Sequence, residues 1–202
     1  MRKKATIVDL GYGNIIKLNF FLKRLGYIVS FSKSKREFLN SDIIIIPGIG
    51  NASLINNRNN IKTFYKLNCC KNENLKIVGI CLGMQLLCKK NEELKNPKHN
   101  NLLLGYFPYS VKKLKSNKNL RVPRIGWYKT FISDKIIKED LYLYYAHSFY
   151  VDYKSNKSAF MYTIHDKESI PAMIKENNIL GLQFHPELSG KKGEEIFSEY
   201  IK

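Results

Sequence analysis

The run Ile43-Ile44-Ile45-Ile46, cut off by Pro47-Gly48, narrows the choice of fold more than any other stretch of the chain. A strand with one face in water alternates apolar and polar residues. An unbroken β-branched run is apolar on both faces and needs cover on both, which a parallel sheet flanked by helices supplies. Ile77-Val78-Gly79-Ile80 is a second strand of this kind, and Ile179 to Phe184 the last strand. Between such runs the period changes. After a first strand over residues 5–10 and the turn Gly11-Tyr12-Gly13-Asn14, Leu18, Phe21, Leu22 and Leu25 recur at three- and four-residue intervals, the spacing of one buried helix face. That helix spans Ile15 to Leu25. Gly26 stops it, and Tyr27-Ile28-Val29 reads as the next strand. Further helices are expected around Lys62 to Leu67, from Met84 to Cys88, and over residues 193–201.

The second half has another texture. Leu141 to Ala146, Phe149 to Tyr153, Ala159 to Ile164 and Ala172 to Ile174 are short and rich in aromatic residues, as antiparallel strands beside the parallel ones would be. The expected architecture is α/β, a mostly parallel sheet flanked by helices with an antiparallel extension. Its 202 residues, 44% of them hydrophobic, suffice for one buried core, and residues 1–202 read as a single domain.

No apolar run of about eighteen residues exists, so no membrane span is expected. Asp9 interrupts the first apolar stretch too early for a signal peptide, which points to the cytosol. The net charge of +17 raises the question of nucleic acid, but the lysines are scattered along the chain, and no nucleic-acid partner is expected. Cys69, Cys70, Cys81 and Cys88 lack zinc spacing, so neither a metal site nor a disulfide framework is expected.

One cysteine stands apart. Gly79-Ile80-Cys81-Leu82-Gly83 has the pattern of a nucleophile elbow with Cys in the place of Ser. A Cβ at either glycine would crowd the turn. A helix N-terminus favours the thiolate of a residue placed there. The amide of Leu82 is then one candidate oxyanion donor, and the loop Gly48-Ile49-Gly50 a source of another. On its own the pattern fits a buried structural cysteine equally well. Of His99, His147, His165 and His185, the last ends an apolar strand and is followed by Pro186-Glu187. In an extended segment residues i and i+2 share a face, so Glu187 can orient His185 and stabilise its imidazolium. A lone His-x-Glu is more often a strand end facing solvent. Only the two elements together, both at strand ends of a parallel sheet, argue for a site.

Gly79 to Gln85 and Gly181 to Glu187 resemble the signature motifs of the class I glutamine amidotransferases. The resemblance implies that family's flavodoxin-like fold and a catalytic triad of Cys81, His185 and Glu187. It also implies an oxyanion strand at Pro47-Gly48-Ile49-Gly50, and substrate contacts from Gln85, His147, Ser148 and Phe149. Within the class the chain is similar to the glutaminase subunits of imidazole glycerol phosphate synthase, through Val8 to Asn14, Pro123 to Trp127 and Tyr145 to Tyr150. That likeness implies glutamine as substrate, no cofactor, and a (β/α)8-barrel synthase as partner in a heterodimer, with Trp127, Tyr128 and Leu188 at the interface. Ammonia would pass to the barrel for histidine biosynthesis. The alternative customer is a sugar-modifying enzyme of surface polysaccharide, since Tyr128 stands where Asn, and Leu188 where Lys, is usual. Gly11-x-Gly13 lacks a third glycine at Ile16, which excludes a dinucleotide fingerprint.

Overall fold

A computed structural model describes residues 2–11, 13–48, 50–70, 74–118, 120–133, 140–153 and 159–201. The chain begins with β1 (Lys4–Val8), α1 (Ile15–Arg24), β2 (Ile28–Ser32), α2 (Lys35–Leu39) and β3 (Ile43–Ile46). It continues with α3 (Arg58–Asn68), β4 (Lys76–Ile80), the short α4 (Leu82–Leu86), β5 (Cys88–Asn91) and β6 (Phe107–Lys113). The strands β7 (Arg124–Ile132), β8 (Leu141–His147), β9 (Phe149–Asp152), β10 (Ala159–His165), β11 (Glu168–Glu176) and β12 (Ile179–Leu182) follow, and α5 (Gly190–Tyr200) closes the chain.

Among the described residues, a nine-stranded sheet runs in the order β2-β1-β3-β4-β12-β11-β10-β7-β8. Its first five strands are parallel, and the rest join antiparallel. The isoleucine run accounts for this sheet directly. Ile44 and Ile46 pack with Val8, Phe64 and Ile77 on one face, while Ile43 and Ile45 pack with Phe21, Val78 and Phe197 on the other. Helices therefore lie on both faces, as a wholly buried strand demands. A smaller sheet, β5-β6-β9, sits beside the first.

The helix expected from Met84 to Cys88 lies two residues earlier, over Leu82–Leu86. It ends at Leu86, and Cys88 begins β5, which pairs parallel with β6. The reason is tertiary. The carbonyls of Leu86 and Leu87 accept hydrogen bonds from Leu104 and Phe107 rather than from a continuing helix. Cys88 is buried, but as a strand residue. Three strands exceed what local pattern suggests: β6 and β7 were not expected, and β11 runs nine residues through Pro171 where only Ala172 to Ile174 stood out. Helix α3 starts early, at Arg58, because the Asn57 side chain caps it by accepting from the amide of Asn59.

Candidate active site

β4 leads straight into the elbow. Cys81 has φ 49° and ψ −105°, a strained conformation for a residue with a side chain. Two main-chain bonds hold it there: the Cys81 amide donates to the Leu182 carbonyl at 2.6 Å, and the Gln85 amide to the Cys81 carbonyl at 3.2 Å. The glycines make the crossing feasible. A Cβ on Gly79 would lie 2.5 Å from the Gly83 carbonyl carbon, and one on Gly83 would strike the Ile46 backbone. The thiol is buried, with Sγ 3.6 Å from the Ala146 carbonyl oxygen and 3.6 Å from Gln183 Nε2.

The strand beside β4 brings the base. β12 pairs with β4 in the register Leu182↔Ile80, so the segments that follow leave the sheet side by side. His185 is extended and precedes a 3-10 turn, Pro186–Leu188. That turn differs from the straight segment expected, because the fixed φ of Pro186 suits the first position of a helical turn. It still joins the two side chains: His185 Nδ1 lies 2.9 Å from Glu187 Oε1, with exposures of 1% and 4%. The backbone is pinned as well. His185 N–H donates to the Tyr144 carbonyl at 2.9 Å, and Ser189 Oγ to the His185 carbonyl at 2.6 Å. Burial alone would lower the His185 pKa. Electrostatic attraction to Cys81, then the bond and charge of Glu187, outweigh it and push the value up to about 10.

A cavity of about 250 Å3 opens over Cys81. It is lined by Gly48, Gly50, Leu82, Gln85, His147, Ser148 and Phe149, and also by Glu93, Pro123 and Ala146. Most of the expected substrate and oxyanion positions thus surround one space. Gln85 Nε2 donates to the Phe149 carbonyl at 2.9 Å, and His147 Nδ1 lies 2.8 Å from the same oxygen. Ile49, expected as an oxyanion donor, lies outside the described residues. Leu82 is present but engaged: its N–H donates to the Gly48 carbonyl at 3.2 Å. The Leu82 donor is thus not free in this structure, since the Gly48 carbonyl takes its hydrogen.

The three residues expected to face a partner do not share one surface. Trp127 is 53% exposed and meets Tyr144 edge-on at 6.0 Å. Tyr128 is half-buried one residue further along β7, hence on the opposite face, where its ring covers Arg124. Its ring therefore lies on the Arg124 side of β7, away from Trp127. Leu188, partly buried, closes the turn after Glu187. His165 is buried with Nε2 2.8 Å from the Lys115 carbonyl, and neither it nor His99 lines the cavity.

Glu93 escaped sequence reasoning. Its carboxylate accepts from Asn51 Nδ2 and from the Ala52 amide, each at 2.7 Å, and burial raises its pKa against the opposing Ala52 bond. No local signal marks it within the polar stretch Lys89 to Glu93. Only the parallel pairing of β5 with β6 carries it back over the cavity.

Similarity to known proteins identifies the family. The family model "Glutamine amidotransferase class-I" matches residues 12–202. The chain is 32% identical over 204 residues to imidazole glycerol phosphate synthase subunit HisH 2 of Campylobacter jejuni (strain RM1221), covering 98% of each. It is 33% identical over 212 residues to subunit HisH 1 of Vibrio vulnificus (strain YJ016), covering 99% of this chain and 98% of the relative. The solved structure of PurLQS from Thermotoga maritima shares the fold, with a TM-score of 0.69 at 17% identity over 100% of both chains. An elbow cysteine, a buried His–Glu pair beside it and a match to the family model over residues 12–202 have one common reading: the chain belongs to the class-I glutamine amidotransferases.

Proposed function

We propose that this chain, acting as one domain, is the glutaminase subunit of a cytoplasmic heterodimer, hydrolysing glutamine and passing ammonia to a (β/α)8-barrel synthase. Its relatives carry the name of imidazole glycerol phosphate synthase subunits, which makes histidine biosynthesis the first choice of pathway. The observation that carries the reading is the His185–Glu187 pair, buried and hydrogen-bonded at 2.9 Å next to Cys81.

With the proton resting on His185, Cys81 acts as thiolate and attacks the side-chain carbonyl carbon of glutamine. The His185 proton goes to the departing nitrogen, and ammonia leaves a glutamyl thioester. Water then adds with His185 as base, the C–S bond breaks, and glutamate and the free thiol result. Glu187 holds the ring and balances its charge. Glu93 is the carboxylate suited to the substrate's α-ammonium, and Gln85 with the His147-Ser148-Phe149 segment forms the wall opposite. No step calls for a metal or an organic cofactor.

The tetrahedral intermediate needs N–H donors. Since Leu82 donates to Gly48, the Gly48 carbonyl must turn away before that donor can serve, a change that suits activation by a docked partner. Ammonia release by the purified chain, alone and with the barrel protein that co-purifies with it, is the test. Cys81→Ser is expected to abolish release and to retain the partner. Release that persists in Cys81→Ser would overturn the reading. The identity of the captured barrel decides between the histidine pathway and sugar modification, the second being the choice that the departure at Leu188 favours.

A further inference from the structure

Arg124 opens β7 and is 2% exposed. Among the described residues no carboxylate pairs with it; Nη2 donates to Thr163 Oγ1 at 2.8 Å and to the Ile164 carbonyl at 3.2 Å, and Nη1 is buried without a partner. Its guanidinium carbon lies 3.7 Å from the ring centre of Tyr128 and 4.8 Å from that of Tyr145. A buried cation costs several kcal/mol, and aromatic faces return about 2 kcal/mol. Stability alone is a poor reason to keep it.

Its neighbour on the next strand supplies a better one. Arg124 and His147 are register partners across β7 and β8, and the His147 ring packs against Tyr145 at 5.7 Å between centres. With Nδ1 turned to the Phe149 carbonyl, Nε2 is left buried with no protein partner, in a residue that lines the cavity. A carbonyl can only accept, so the ring proton sits on Nδ1 and Nε2 presents a lone pair. Burial first, then the charges of Arg124 on β7, His165 on β10 and His185 after β12, lower the His147 pKa to about 3 against the Phe149 bond, so no second proton competes.

We propose that Arg124 is a positioning residue of the glutamine pocket: clamped by Tyr128, Tyr145 and Thr163, it holds the His147 ring so that Nε2 accepts a hydrogen bond from the carboxamide N–H of the substrate. The inference rests on the glutaminase reading above. It also gives Tyr128 a local purpose. An aromatic ring, unlike a short amide, covers the face of the buried guanidinium.

The test uses protection of Cys81 from alkylation by iodoacetamide, with two ligands differing only at the reacting end. Glutamine has the carboxamide N–H; the γ-methyl ester of glutamate lacks it. In Arg124→Met the alkylation rate without ligand is expected to stay within about twofold, and the methyl ester to protect as in the unaltered chain. Glutamine is expected to protect about tenfold more weakly, the size of one lost hydrogen bond. Equal weakening for both ligands, or none for either, would overturn the proposal. Tyr128→Leu, which keeps the charge but removes the clamp, is expected to show the same selective loss at about threefold; it decides the matter if Arg124→Met does not fold, and an unselective effect there counts against the proposal. Failure of glutamine to protect the unaltered chain would instead sink the glutaminase reading itself.

Discussion

His185 is bonded to a carboxylate and feels the charge of the Cys81 sulfur in a space that water barely reaches, and its proton is the quantity on which the site turns. Its folded pKa is raised above the ordinary histidine value of about 6.5. The stabilisation from this proton is therefore complete below about pH 6.5, the unfolded value, and is lost as pH rises through about 10, the folded value. Replacing Glu187 with Gln is expected to lower the His185 pKa by about one unit or more, read from the pH dependence of its imidazole NMR signals. The decline of the urea midpoint above pH 6.5 should flatten in the same variant. An unchanged titration would mean that Cys81 alone sets the proton. These residues were legible because Cys81 sits in an elbow of fixed spacing and Glu187 is a near neighbour of His185 in the chain. Glu93 and Arg124 were not, since each acquires its surroundings from strands remote in sequence.

At the scale of elements, the elbow depends on how closely two backbones approach. Gly83 packs against Ile46 of β3 with no room for a methyl group. Gly83→Ala is expected to destabilise the fold by about 3 kcal/mol, seen as a lower urea midpoint with loss of ammonia release. A stable, active Gly83→Ala would show that the turn can relax. Apolar runs identified the buried strands β3 and β4 without reference to anything distant, because burial on both faces leaves no polar position to mislead. The boundary between α4 and β5 was illegible for the opposite reason. Leu86-Leu87-Cys88 is apolar in either period, and what ends the helix is the backbone of residues 104 and 107.

For the molecule as a whole, β8 is an edge strand, and the outer face it shares with β7 carries Ile125 and Trp127 opposite Ala146 and Tyr144. An exposed aromatic edge of this kind invites pairing unless something covers it. Ile125 and Trp127 are 58% and 53% exposed, the kind of anchors that dominate an interface. Trp127→Ala is expected to weaken capture of the proposed barrel partner about tenfold or more, while iodoacetamide alkylation of Cys81 stays unchanged; undiminished capture would move the proposed docking face elsewhere. Tyr144 touches Trp127 on one side and, through its carbonyl, fixes His185 on the other, so the exposed aromatic face and His185 share one residue.

The bond from Leu82 to Gly48 has a bearing on cellular economy under the proposed function. A lone subunit whose own peptide oxygen takes up the anion's donor degrades little amino acid. Surplus copies of the chain would then leave the nitrogen reserve intact until a synthase recruits them.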